Sequence, residues 1–479
     1  MRAILAFLVA LLVAAALVFL VAGRGSGPAI QILAPEKVIG QNGTFEVAIT
    51  APKGNLTRLD VAIEQNDQRY PVFSLGTAGA SGLKQEAEDR VRVTGPVGRT
   101  NVKELRGGPA RIVVSAERPL LFGLRRATSE ATRDIVVSLQ PPRVAVVSMH
   151  HFVNHGGSEL VIYRVTPPEV ESGVRVGDLA YPGYPASGAG IAGADPSLKI
   201  AFFALRWDQD LNTPIAVYAK DTAGNEARAN FAFQVFPKPY RKSRIEVPDA
   251  FLQRVVPPIL EQTPDLQVDD PSDIVKSFLK VNGELRRRNA EALVALAGKT
   301  APEMLWRGPF TQLTNSQVES SFADQRTYIH NGTEIDKQTH LGYDLAVTAN
   351  VAIEASNRGR VVLAEYFGIY GNTVVLDHGM GLMSLYAHLS SIDVKPGDMV
   401  ETGQVVGRSG MTGLAGGDHL HFTMLLQGQA VTPVDWWSKQ WIEDRVTRKL
   451  REAGAPAATS PPAPGGAAPA PAAPGAPQL

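Results

Sequence analysis

The strongest constraint on this chain is its punctuation. Short β-branched runs recur between Gly, Pro and Asn turns, and such runs bury their apolar faces by pairing into sheets. Ala29–Leu33, Thr44–Ile49, Leu59–Ile63, Arg111–Ser115 and Asp134–Leu139 are of this kind, and Gln41-Asn42-Gly43 and Pro52-Lys53-Gly54 supply turns. Their regular spacing over 28–140 predicts a β-sandwich. With 45 Gly and 34 Pro in 479 residues, the chain reads as mostly β, loop-rich and too long for one core, so several domains are expected.

A second β-sandwich region is expected over 141–236. Its end, from Ile215 to Val235, reads as two strands about a turn from Asp221 to Asn225. That stretch resembles the closing hairpin of bacterial immunoglobulin-like domains, and both β regions are expected to be immunoglobulin-like. Residues 237–300 predict a helical linker. Pro248–Val256 has helical spacing that Pro257-Pro258 should end. Ser272–Ala297 repeats apolar positions near a period of 3.6 behind Asp270-Pro271-Ser272, a capped start. The Arg286-Arg287-Arg288 run reads as a solvated helix face. β sequence returns over 301–440, and 454–479 is a Pro/Ala/Gly-rich tail with no possible core.

At the N-terminus Arg2 precedes an uncharged apolar run, Ala3–Ala22, and Arg24 follows it. About 20 such residues can cross a hydrocarbon core roughly 30 Å thick, and the run exceeds the about 7–15 residues of a signal-peptide core. Residues 1–24 are therefore expected to be a transmembrane signal-anchor in the inner (cytoplasmic) membrane, with the rest of the chain exported. Lys+Arg and Asp+Glu both number 47, so no global field attracts nucleic acid. The absence of cysteine excludes disulfide scaffolds, thiolate metal sites and cysteine nucleophiles.

Chemistry concentrates between His340 and His421. His340 and Asp344 place an imidazole and a carboxylate four residues apart. His419-Leu420-His421 places two imidazoles on one face of a strand, with Leu420 on the other. His388 stands between them. Imidazole and carboxylate suit zinc, and a catalytic zinc site uses three protein ligands plus a water. Spare imidazoles can accept a proton or stabilise an oxyanion. The inventory therefore fits three ligands and two further histidines.

The surrounding stretches carry a resemblance. Ser320–Arg326, His340–Asp344, Tyr370–Val374, Asp377–Gly379, Leu385–Ser390, Val394–Gly397, Gly403–Gly407 and His419–Phe422 resemble, in order, the lysostaphin-type (LytM-like) zinc metallopeptidase domain. The resemblance implies an all-β peptidase domain cutting peptide cross-links of bacterial peptidoglycan. It implies Zn2+ bound by His340, Asp344 and His421, with His388 and His419 as catalytic residues. The catalytic domain would then lie in the periplasm, with peptidoglycan peptide and the cytoplasmic membrane as partners and protein partners left unknown. Two positions depart from the family pattern: Thr423, where relatives often carry Glu, and Gly416-Gly417-Asp418 before His419.

Rival readings are a latent or inactive wall-binding module that activates another hydrolase, and a mononuclear iron oxygenase, since two His and one carboxylate also suit ferrous iron. Gly188–Gly193 spells a dinucleotide fingerprint without its strand and helix context. His150 and His151 diverge on alternating strand faces, Asn154–Gly157 reads as a hairpin turn, and His378 reads as framework.

Overall fold

The computed structural model describes residues 25–454, apart from 53–54, 77–81, 121–122 and 192, together with Ile4, Leu12 and Val13. The signal-anchor expected over 1–24 lies almost wholly outside the described residues, as does the tail after 454. Among the described residues no helix is long and apolar enough to cross a membrane. The expected single-pass inner-membrane placement is corrected on that ground.

The chain is mostly β. In its first part, Gly43–Thr50 lies between Ala29–Ala34 and Arg90–Val97. In a second sheet, Gly108–Leu120 lies between Arg58–Gln65 and Arg125–Val137. Strand alternation sends Phe45, Val47 and Ile49 from one sheet, and Leu59, Val61 and Ile63 from the other, into one apolar core.

In the next part, Ser158–Thr166 pairs with Arg143–Val146 and Leu198–Ala204. Ile215–Lys220 pairs with Glu171–Val176 and Glu226–Asn230. The second arm of the expected hairpin thus stops at Asn230. Phe233–Phe236 instead pairs in parallel with His151–Asn154. Asn154–Gly157 is therefore a corner between sheets and not the expected hairpin turn, because the strands on its two sides have different partners.

An eight-stranded sheet organises the C-terminal part, with Leu382–Leu389 and Leu420–Leu426 at its centre. Both strands are buried along their whole length, because both sheet faces are covered. One face sends Leu382, Tyr386, Leu420 and Phe422 into a core shared with Leu160, Phe202 and Val217 of the preceding sheets. The other sends Met383, Leu385 and Leu425 against Leu293 and Leu296 of the helix Arg286–Leu296.

The helical segment departs from expectation at two points. Asp249–Glu261 continues through Pro257-Pro258. Leu252, Val255, Val256 and Ile259 are buried along one face of it, and that packing outweighs the about 3 kcal/mol an interior proline costs. The following helix starts at Ile274, capped by Asp273, whose carboxylate accepts the Lys276 N–H at 3.0 Å. A π-helical turn, Val281–Leu285, joins Ile274–Lys280 to Arg286–Leu296.

The seam between the middle sheets and the C-terminal part is aromatic and ionic. Phe202, Trp306 and Trp436 pack with ring centroids 5.6–6.4 Å apart. Lys449, in the last helix, donates to Glu159 Oε1 at 2.9 Å and to the Leu160 carbonyl at 2.8 Å. Both side chains are buried. Burial pushes the Glu159 carboxyl up and the Lys449 ammonium down, against their mutual attraction. Lys449→Met should therefore lower stability by about 3 kcal/mol, since it leaves the buried carboxylate with Arg445 as its one cation, Nε 3.8 Å away. Adding Glu159→Gln should recover most of the loss. A carboxyl with a raised folded pKa favours the folded state at low pH and loses that contribution as pH rises. The Lys449→Met deficit in urea midpoint should accordingly shrink toward acid pH.

Candidate metal centre

The candidate ligands reach one point from two sheets. His340 ends the strand Thr333–His340, which pairs with Asp324–His330 outside the main sheet. Asp344 and His421 are direct cross-strand partners within the main sheet. His340 Nε2 lies 2.9 Å from Asp344 Oδ1 and 3.0 Å from His421 Nδ1, and the last two atoms are 3.0 Å apart. Ligands 2.0–2.1 Å from a tetrahedral zinc would be separated by ~3.3 Å. The donor set and its spacing fit a metal ion.

Each ligand is held by a different outer partner that leaves one atom free. The Ser320 hydroxyl donates to Asp324 Oδ2, so its oxygen accepts the His340 Nδ1–H at 3.1 Å. The Thr423 hydroxyl donates to the Leu341 carbonyl at 2.8 Å and accepts the His421 Nε2–H at 3.0 Å. Arg326 donates to Asp344 Oδ2 at 2.8 Å. These contacts leave His340 Nε2, His421 Nδ1 and Asp344 Oδ1 facing one another, the outer support that metal ligands require. Thr423 thus holds a ligand's tautomer at a position that had looked only like a departure. Ser320, Asp324 and Arg326 lie in a stretch the resemblance already marked, but their spacing from His340 and Asp344 carries no signal of contact.

His388 and His419 flank the trio. Their ring centroids are 4.9 Å apart, and the His388 ring is 5.7 Å from that of His421. His388 Nδ1–H donates to the Thr412 carbonyl and His419 Nδ1–H to the Gly417 carbonyl, each at 2.8 Å. Nε2 is therefore the basic nitrogen of both rings. Ala387 pairs directly with His421, so regular alternation would send His388 to the opposite face. A left-handed backbone at His388, φ +62°, returns its side chain to the site. That conformation is strained for a residue with a Cβ.

The charge balance follows from burial and contact. Burial opposes ionisation of Asp344, but the imidazoles of His340, His419 and His421 outweigh it and hold the carboxyl well below the usual carboxylate range. Burial pushes His388 well down and His421 down to about 4. For His419, burial is outweighed by the Asp344 carboxylate, and its pKa is raised. The cleft has a volume of about 450 Å3 and is walled also by Phe251, Phe278, Tyr328 and Tyr370. The other histidines lie apart. His378 is buried framework bonded to the Arg358 carbonyl and Ser384 Oγ. His151 is bonded to Ser148 Oγ and the Ala232 carbonyl.

Gly342 is set by this packing. A Cβ there would lie 2.5 Å from Thr423 Oγ1 and 2.6 Å from the His421 ring. Gly342→Ala should weaken metal affinity at least tenfold through the Thr423–His421 contact, a loss of about 1.4 kcal/mol. Metal titration read beside far-UV circular dichroism checks this, with the β spectrum retained.

Comparison with known proteins agrees with this geometry. Residues 338–433 match peptidase family M23. The chain is 31% identical over 157 residues to the peptidoglycan DD-endopeptidase ShyA of Vibrio cholerae, covering 33% of this chain and 34% of that protein. It is 39% identical over 95 residues to the DD-carboxypeptidase/endopeptidase Mpg of Neisseria meningitidis, covering 20% and 22% of the two chains. It is 38% identical over 95 residues to the murein hydrolase activator EnvC of Escherichia coli, covering 20% and 23%. The match spans about a third or less of the length of these relatives. Residues 338–433 of this chain are a peptidase family M23 domain.

Proposed function

We propose that this protein is a zinc metalloendopeptidase that hydrolyses peptide cross-links of bacterial peptidoglycan. The observation that carries the reading is the convergence of His340, Asp344 and His421, whose ligand atoms all lie within 4.8 Å of one another. Two further imidazoles face the same cleft. His340, Asp344 and His421 would hold Zn2+, which when bound supplies a Lewis acid for the scissile carbonyl and acidifies a water toward pKa about 7. His388 and His419 each present a basic Nε2, because their Nδ1–H groups are committed to backbone carbonyls. One accepts the proton of the attacking water at its free Nε2; the other stabilises the oxyanion only as the imidazolium, which donates Nε2–H to it. Relatives named as peptidoglycan DD-endopeptidases support a cell-wall substrate.

His421→Ala should abolish both zinc binding and cleavage of purified sacculi, whereas His388→Ala should abolish cleavage and leave one zinc bound. Elemental analysis and mass spectrometry of the digestion products read the two separately. Retained turnover in the His388 variant would reject its role.

One observation favours a second reading, a latent module. The helix Asp249–Glu261 borders the cleft, and Arg254 donates to the carbonyls of Ala415 at 3.3 Å and Gly416 at 2.8 Å, just before His419. Phe251 walls the same cleft. If this contact restrains the site, Phe251→Ala with Arg254→Ala should raise kcat/KM on cross-linked peptides about tenfold, the release of one such contact. Unchanged or reduced turnover would argue against latency.

A further inference from the structure

A second groove, of about 630 Å3, adjoins the metal cleft. Arg286 and Arg326 line both cavities. Its charged lining groups are Lys242, Arg286, Arg287, Arg326 and Lys337, and no carboxylate lines it. Three of these cations are already matched: Arg326 with Asp344, Arg287 with Glu291, and Lys337 with Glu334. Among the described residues Lys242 and Arg286 have no carboxylate within ion-pair reach.

Arg286 is also held in place. Its Nε and Nη2 donate to the Asn282 carbonyl at 3.1 Å and to Asn282 Oδ1 at 2.6 Å. Asn282 is fully buried and donates to Asp336 Oδ2 at 2.7 Å. Both residues belong to the π-helical turn and the helix it opens, a local geometry often found at functional sites. A guanidinium offers five N–H donors in a planar fork, and the Asn282 bonds use one edge of it. Its charge reaches Tyr370, whose ring centroid is 5.5 Å from that of His421. Of the three arginines expected to form a solvated face, Arg287 and Arg288 pair with helix carboxylates, while Arg286 turns to the cleft.

We propose that this groove is a carboxylate subsite, in which Arg286, assisted by Lys242, binds a free carboxylate of the peptide whose scissile bond lies at the metal centre. The inference rests on the peptidase reading above. A planar, preorganised guanidinium matches a carboxylate, and continuity with the metal cleft lets one ligand occupy both cavities. Glu246 and Glu319 also line the metal cleft. The sign of charge therefore changes along the site, and a peptide carrying both an amine and a carboxylate is seated in one direction.

The test compares a purified cross-linked muropeptide dimer with the same dimer after its carboxylates are amidated. The wild-type zinc protein should favour the carboxylate form in kcat/KM by about ten- to hundredfold, the worth of one charge-assisted contact. Arg286→Gln should bring that ratio toward unity, while Arg286→Lys should keep part of it. Calorimetric titration of both dimers into His388→Ala protein, with and without Arg286→Gln, reads the same preference without turnover. Equal affinity for the two dimers, or a preference that survives Arg286→Gln, would overturn the subsite. A preference that Arg286→Gln removes, with no cleavage by the wild type, would sink the peptidase reading and leave the subsite standing.

Discussion

The C-terminal part of this protein depends on holding three candidate ligand atoms within 3.0 Å of one another in a buried place. A carboxylate taken out of water is costly unless its lone pairs are matched. Asp344 is matched by Arg326 on one oxygen and by imidazoles on the other. The imidazoles are fixed in turn by Ser320 and Thr423, so the site does not depend on the ligand side chains alone. Much of the surrounding architecture serves this arrangement. The Asp344–His421 register supplies one ligand pair, and the separate strand ending at His340 closes the third corner.

Burial on both faces keeps that register. A slip of one residue would exchange His421 for Leu420 and turn the apolar core inside out. The middle sheets cover one face of the central strands, and the helix Arg286–Leu296 covers the other. The same helical segment walls the cleft, through Phe251, Phe278 and Arg286. Structural cover and access to the site are thus one set of contacts. The packing of Phe202 on Trp306 and Trp436 and the buried Glu159–Lys449 pair tie the middle sheets to the C-terminal part.

Some of this was legible in the order of residues. His-x-His at 419 and 421 needed only strand alternation to share a face, and Leu420 does point into the opposite core. His340 and Asp344 are close enough in sequence for one loop to bring them together. The two prolines at 257 and 258 misled, because their local cost is set against tertiary packing of four apolar side chains that the local sequence does not weigh. Asn230 and Phe233 were similarly opaque. Whether a β run continues its hairpin or joins another sheet is decided by distant partners.

The sequence by itself determined the donor set, the β character and the exclusion of thiol chemistry, since these follow from residue types and short-range period. Tertiary structure alone decided which atom of each ligand faces the centre, through Ser320, Thr423 and Arg326. It also decided that His388 joins the site, through a left-handed backbone that alternation would not allow, and that Arg286 leaves the solvated face of its helix. The physical reason is range. Period and propensity act along one element, whereas tautomers and unmatched charges are set by where side chains meet in space, as Ser320 meets His340 and Arg326 meets Asp344 from another strand.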